Sequence, residues 1–247
     1  MSIVEVTAPA KLTVSLHITG VRPDGMHLIE AEMVSLSLHD LLTIDPERDG
    51  VTTTGRYAAG VPDDDDNIVA KALRLAGRRA RVTIDKRIPH GGGLGGGSSD
   101  AAAVLRWAGF DDVRVAAGIG ADVAFCLVGG RAKVSGIGEV VDPLPHVDRS
   151  VTLIVPPLSV STPAVYRAWD AMGGPTAEGV NDLEQAAIQV EPALAAWRER
   201  IGNASGETPI LAGSGATWWL PGERVDALAA LRDEGAEVIA ARAVRAE

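Results

Sequence analysis

Apolar and polar positions alternate through the first part of the chain. Residues 3–7, 11–18 and 28–37 alternate or run apolar as strands do, and 40–44 adds another strand candidate. Arg22-Pro23-Asp24-Gly25 between them is turn chemistry. The period then lengthens, and residues 67–76 carry apolar positions at helical spacing. Four aspartates, Asp63 to Asp66, precede that helix, where negative charge suits the amino end of its dipole. Adjacent aspartates cannot readily converge on one ion, so a capped, solvated turn is expected there and not a metal site.

Residues 80–85 alternate again as a strand. Helices are expected at 99–107 and near 111–117, then an apolar run at 123–128 and a strand at 131–134. The proline-containing stretch 142–145 is the candidate boundary, dividing the chain into domains 1–148 and 149–247. Beyond it the pattern predicts a strand at 151–155, helices near 162–172, 181–199 and 225–233, and strands near 208–212, 216–220 and 237–241. The tail, 240–247, is expected to fray. Both halves read as α+β, without an internal repeat.

Composition narrows the functional classes. At 247 residues, 46% hydrophobic and 23% charged, the chain is a folded protein with one large core or two modest ones. A formal charge of −10 with no basic block argues against a nucleic-acid surface. No apolar stretch is long enough to span a bilayer, and no signal segment opens the chain, so a cytoplasmic protein is expected. The single cysteine, Cys126, excludes an internal disulfide and a cysteine-based zinc site, and its apolar neighbours suit a buried residue.

The chemistry concentrates in Pro89-His90-Gly91-Gly92-Gly93-Leu94-Gly95-Gly96-Gly97-Ser98-Ser99-Asp100. So many glycines weaken a packed element, yet suit backbone that must close around a bulky anion. A strand precedes the run. Helix-capping and first-turn side chains at Ser98 to Asp100, then alanine and leucine, follow it. Strand, glycine loop and helix amino terminus in that order make a phosphate site; a flexible linker is the competing reading. The loop lacks the lysine of the P-loop, so a cation must come from elsewhere. Lys11, on a predicted strand, would supply it if that strand lines the cleft, although a strand lysine is more often solvent-facing. Asp122 reads alone as a cap or turn aspartate. Paired with Lys11 it would stay ionised and hold a hydroxyl in line with a transferred phosphoryl group. Gly213-Ser214-Gly215-Ala216-Thr217 is a second small-residue loop, and the neighbouring Trp218 and Trp219 should point to opposite sheet faces.

Ala8-Pro9-Ala10-Lys11-Leu12, the stretch from Pro89 through Ala103, and Leu211 through Thr217 resemble the three motifs of the GHMP kinases. Arg22-Pro23-Asp24-Gly25-Met26-His27, Asn67-Ile68-Val69, Gly120-Ala121-Asp122-Val123, Val134-Ser135-Gly136-Ile137-Gly138-Glu139 and Asn181-Asp182-Leu183-Glu184 extend the likeness. They are similar to the branch that phosphorylates the 2-hydroxyl of 4-CDP-2-C-methyl-D-erythritol in non-mevalonate isoprenoid synthesis. The resemblance implies a two-domain α+β fold: an N-terminal domain like ribosomal protein S5 domain 2, a C-terminal ferredoxin-like sandwich, and a cleft between them.

It also implies ATP, with Mg²⁺ held largely by phosphates and its protein ligands unknown. The triphosphate would lie over Pro89, Gly91, Gly92, Gly93, Leu94, Gly95, Gly96, Gly97, Ser98 and Ser99, with adenine near Asn67. Lys11 would stabilise the hydroxyl oxygen and Asp122 would orient or deprotonate it. His27 would recognise cytosine, flanked by Met26 and Tyr166. The partner is that small-molecule substrate, with neither nucleic acid nor membrane, for a monomer or weak homodimer. Two features depart from the family: Met26 stands where a stacking tyrosine is usual, and the segment between Leu105 and Gly120 is shorter. Homoserine or mevalonate-like substrates, or nucleotide binding without catalysis, are the rival readings.

Overall fold

The computed structural model describes residues 2–177 and 179–246. Its first half is a six-stranded mixed sheet. Two long antiparallel strands, β1 (Val4–Val21) and β2 (His27–Asp45), form its spine, joined through the Arg22 to Gly25 turn. The expected breaks within each strand are register shifts of a continuous ladder, one of them between Pro9 and Lys11. Such irregularities re-aim side chains without ending a strand. β3 (Gly50–Thr54), unanticipated in sequence, lies parallel to β4 (Arg81–Asp85) after helix α1 (Ile68–Leu75). β4 pairs with the carboxyl end of β2.

Helix α2 (Gly96–Trp107) leaves the glycine loop, followed by α3 (Val113–Ala117) and α4 (Val123–Val128). Then β5 (Arg131–Gly136) pairs with the amino end of β2, and β6 (Val140–Leu144) completes that edge. The proposed boundary segment 142–145 therefore falls largely within a strand. Pro143 is tolerated there because β6 is at the sheet edge. The change of sheet comes between β6 and β7 (Ser150–Val155).

The second half contains α5 (Thr162–Ala171), α6 (Glu184–Val190), α7 (Ala193–Ser205), β8 (Ile210–Leu211), β9 (Trp218–Pro221) and β10 (Glu237–Arg242). Its antiparallel sheet runs β10-β7-β9-β8. The helix expected over 181–199 is two helices divided at Pro192, whose ring and missing N–H do not suit a helix interior. The helix expected over 225–233 is a 3₁₀ turn at Ala229–Arg232. Nor does the tail fray: Ala243 N donates to Arg149 O and Val244 N to Ser35 O, returning the chain to the first sheet. Buried residues form two clusters, and the consecutive Trp218 and Trp219 go one into each, as strand alternation requires.

Candidate active site

The register shift on β1 turns Lys11 inward. Its side chain is buried, and Nζ lies 3.2 Å from Oδ2 of Asp122 and 3.2 Å from Oγ1 of Thr13. Asp122 occupies the N-cap position of α4, but its side chain makes no capping hydrogen bond. It faces the lysine instead, about one-third exposed. A lysine and a carboxylate separated by most of a domain in sequence thus meet beside a cavity of about 500 Å³.

The glycine loop is held against the same strand. Lys11 N donates to Leu94 O, and Ser99 Oγ donates to Pro9 O at 2.6 Å. Close approach explains particular glycines. At Gly95, φ is +68° and a Cβ would lie 2.6 Å from Cγ of Lys11. At Gly93, φ is +75° and a Cβ would meet Gly215 O at 2.7 Å. The lysine stem and the second small-residue loop occupy the space a side chain would need.

Pro89 and the segment from Gly91 through Ser98 line a second cavity of about 260 Å³ at the amino end of α2. Gly93 borders both cavities. The Ser98 side chain makes no hydrogen bond among the described residues and lines this cavity, whereas the hydroxyl of Ser99 is engaged by Pro9 O. The expected capping by Ser98 to Asp100 is not found: α2 begins after Gly95, which is left-handed and offers no side-chain cap. Asn67 is an N-cap, of α1. Its Oδ1 accepts from Val69 N, and its Nδ2 donates to Pro62 O. Its side chain is buried in that role and lines neither cavity, so contact with adenine would have to come from neighbouring backbone.

Asp100 belongs to a buried triad that the sequence did not disclose. Lys86 Nζ donates to Asp100 Oδ2 at 2.7 Å and also to Asp40 Oδ2. Oδ1 of Asp40 accepts the backbone N–H groups of Arg87 and Ile88. Burial, opposed by Lys86 and reinforced by Asp40, pushes the Asp100 carboxyl up to about 8. The lysine remains charged: burial works against its ammonium, but the two carboxylates outweigh it and raise its pKa. Lys86 also lines the small cavity, and a Cβ on Gly96 would approach its Nζ to 3.1 Å. The loop therefore has a cation beneath it besides Lys11.

At the far end of the large cavity lie Met26, His27 and Tyr166. His27 packs against Tyr166 with ring centroids 4.7 Å apart, and edge-on to Trp169 at 5.5 Å. Burial, followed by the charge of Asp122, raises the Tyr166 phenol to about 12, so it stays protonated at neutral pH. Met26 is 46% exposed beside this group. The Ile137-Gly138 turn lines the wall, fixed by Ile137 N donating to Glu139 Oε2 at 2.6 Å. From the second half, Asn181 Nδ2 donates to Leu211 O and Gly213 O, anchoring the loop that meets Gly93. Asp182 accepts from Ile18 N, tying that support to β1.

This pairing of fold and site defines a class. The model of the GHMP kinase N-terminal domain matches residues 67–130. A putative homoserine kinase from Listeria monocytogenes shares the fold over 100% of this chain and 98% of its own, at a TM-score of 0.61 and 18% identity. A 4-diphosphocytidyl-2-C-methyl-D-erythritol kinase from Paracoccus denitrificans (strain Pd 1222) is 39% identical over 229 residues, covering 85% of this chain and 84% of that relative. One from Paramagnetospirillum magneticum (strain ATCC 700264 / AMB-1) is 35% identical, covering 96% and 95%. The crystal structure of a 4-(cytidine 5'-diphospho)-2C-methyl-D-erythritol kinase superposes with a TM-score of 0.78 at 32% identity, covering 98% of this chain and 100% of that one. The chain belongs to the 4-diphosphocytidyl-2-C-methyl-D-erythritol kinase family.

Proposed function

We propose that this chain transfers the γ-phosphoryl group of ATP to the 2-hydroxyl of 4-CDP-2-C-methyl-D-erythritol, giving the 2-phosphate and ADP. Family membership supports the substrate, and one observation carries the chemistry: the Lys11–Asp122 pair stands beside the cavity that borders the glycine loop at Gly93. Phosphoryl transfer needs alignment and charge stabilisation more than covalent catalysis. Asp122 orients the hydroxyl and receives its proton as the new O–P bond forms and the bond to ADP breaks. Lys11, paired with Asp122 at 3.2 Å, stabilises the attacking oxygen.

Free N–H groups of the loop and the amino end of α2 hold the phosphates, with Ser98 within the same cavity. Mg²⁺ would neutralise phosphate charge. That ion would be bound mainly through phosphate oxygens. His27, Met26 and Tyr166 form the base end of the site. The two halves of the chain are assigned to 1–148, like ribosomal protein S5 domain 2, and 149–247, a ferredoxin-like sandwich.

Asp122→Asn provides the test, because it keeps the side chain's size while removing the charge. ATP binding should persist, and kcat should fall by roughly 10²–10⁴, the range of a general base. Turnover within twofold of the parent would remove Asp122 from this role.

A further inference from the structure

One carboxylate at the base end has no part in phosphoryl transfer. Asp170 lies in the last turn of α5, and its Oδ1 is 2.8 Å from Nε2 of His27. Its carboxylate makes no other hydrogen bond among the described residues, and it is about half exposed to the cavity. Packing of α5 does not depend on it: Val165 and Trp169 are the helix's buried residues, and Trp169 Nε1 donates separately to Pro175 O. A negative side chain at a helix carboxyl end opposes the dipole. It would also repel an anionic substrate. Neither stability nor general electrostatics explains this residue.

Its effect on His27 does. A carboxylate accepts, so the histidine nitrogen facing it must donate. In the neutral ring the proton then resides on Nε2, leaving Nδ1 a bare acceptor. No hydrogen bond reaches Nδ1 among the described residues, and the ring is steadied by Tyr166 and Trp169. We propose that Asp170 is a positioning residue for base selection: it holds His27 in the Nε2–H form, so that Nδ1 accepts from the exocyclic amine of cytosine and disfavours the carbonyl that uracil carries there. The proposal rests on the reading of a cytidyl substrate. A bare acceptor facing a carbonyl leaves both lone pairs unpaired, and it is this mismatch that discriminates.

The test compares the parent with Asp170→Asn by two readouts. Nitrogen-15 NMR of histidine-labelled protein reports the tautomer of His27, with His27→Gln assigning its signals. Steady-state kinetics compare the cytidyl substrate with its uridyl analogue. The parent should show the Nε2–H tautomer and a strong preference for cytidine; the variant should show mixed tautomers. Its KM for the cytidyl substrate should rise roughly 3–10-fold, the inverse of the fraction of rings left in the Nε2–H form. The loss should fall on KM more than on kcat, leave KM for ATP in place, and reduce the preference for cytidine. Thermal melting should show a variant at least as stable as the parent, since an opposing charge leaves the helix end.

An unchanged tautomer, or cytidine preference within twofold of the parent's, would overturn the proposal while leaving the cytidyl kinase reading intact. A parent enzyme with no turnover of the cytidyl substrate would overturn that underlying reading instead.

Discussion

Lys11 shows what a single residue can and cannot disclose. A lysine in an alternating strand is normally solvent-facing, yet this one is buried between Thr13 and Asp122. Its candidacy was legible because the glycine loop lacks its own cation. Its burial was not, because that depends on a register shift and on a partner far along the chain. Lys86 and Asp100 were less legible still: the lysine lies just past the strand at 80–85 and carried no reading of its own, and the aspartate read as a first-turn residue. Only the fold brings them together with Asp40.

That triad makes a pH prediction. The Asp100 carboxyl titrates near 8 in the folded protein against an ordinary value of 3.8, because burial favours its neutral form. Between those values the folded state keeps a proton that the unfolded state releases, so this group's contribution to stability falls as pH rises through the window. Asp100→Asn removes the titration. Urea unfolding at pH 5, 6.5 and 8.5 should show parent stability declining relative to the variant, by at most about 1.4 kcal/mol per pH unit. A constant difference across that range would contradict the assignment.

At the scale of elements, strands were easier to foresee than their joints. The alternation at 3–7, 11–18, 28–37 and 40–44 located β1 and β2, but their continuity could not be read because irregular ladders interrupt the period without ending the strand. The run 123–128 is apolar on every side, which leaves strand and helix indistinguishable by pattern; it is α4, buried over Val123 to Leu127. The glycine loop was recognised by composition, whereas the reason for each glycine lay in its neighbours. Gly95→Ala would force a Cβ into the Lys11 stem as well as a left-handed φ. Displacing a catalytic group by about 1 Å can cost on the order of a hundredfold in rate. Gly206→Ala is the control: φ is +73° at the carboxyl end of α7, with no atom near the new Cβ. It should lose about 1–2 kcal/mol from backbone strain and retain its kcat. Equal kcat values for both variants in turnover assays would show that the Gly95 contact is immaterial to catalysis.

At the scale of the molecule, an α+β layout in both halves was legible, but how the halves meet was not. Asn181 and Asp182 stand in the second half and hold the Leu211 to Gly213 loop and β1 respectively. The tail, read as fraying from its composition, returns to the first sheet through Val244 and Ser35. Such long-range pairings leave no local period. They nevertheless bring His27 and Tyr166 into one cavity with Lys11 and Asp122. A cavity with that much room beyond the Lys11–Asp122 pair suits an alcohol carried on a nucleotide better than a small free alcohol.

The decisive measurement is the comparison of kcat/KM for 4-CDP-2-C-methyl-D-erythritol, homoserine and mevalonate under the same ATP-Mg conditions, with the phosphorylated position identified by phosphorus NMR. Phosphorylation of the cytidyl substrate at its 2-hydroxyl, with negligible turnover of the other two, is the predicted result. Efficient phosphorylation of homoserine or mevalonate, with none of the cytidyl substrate, would contradict it.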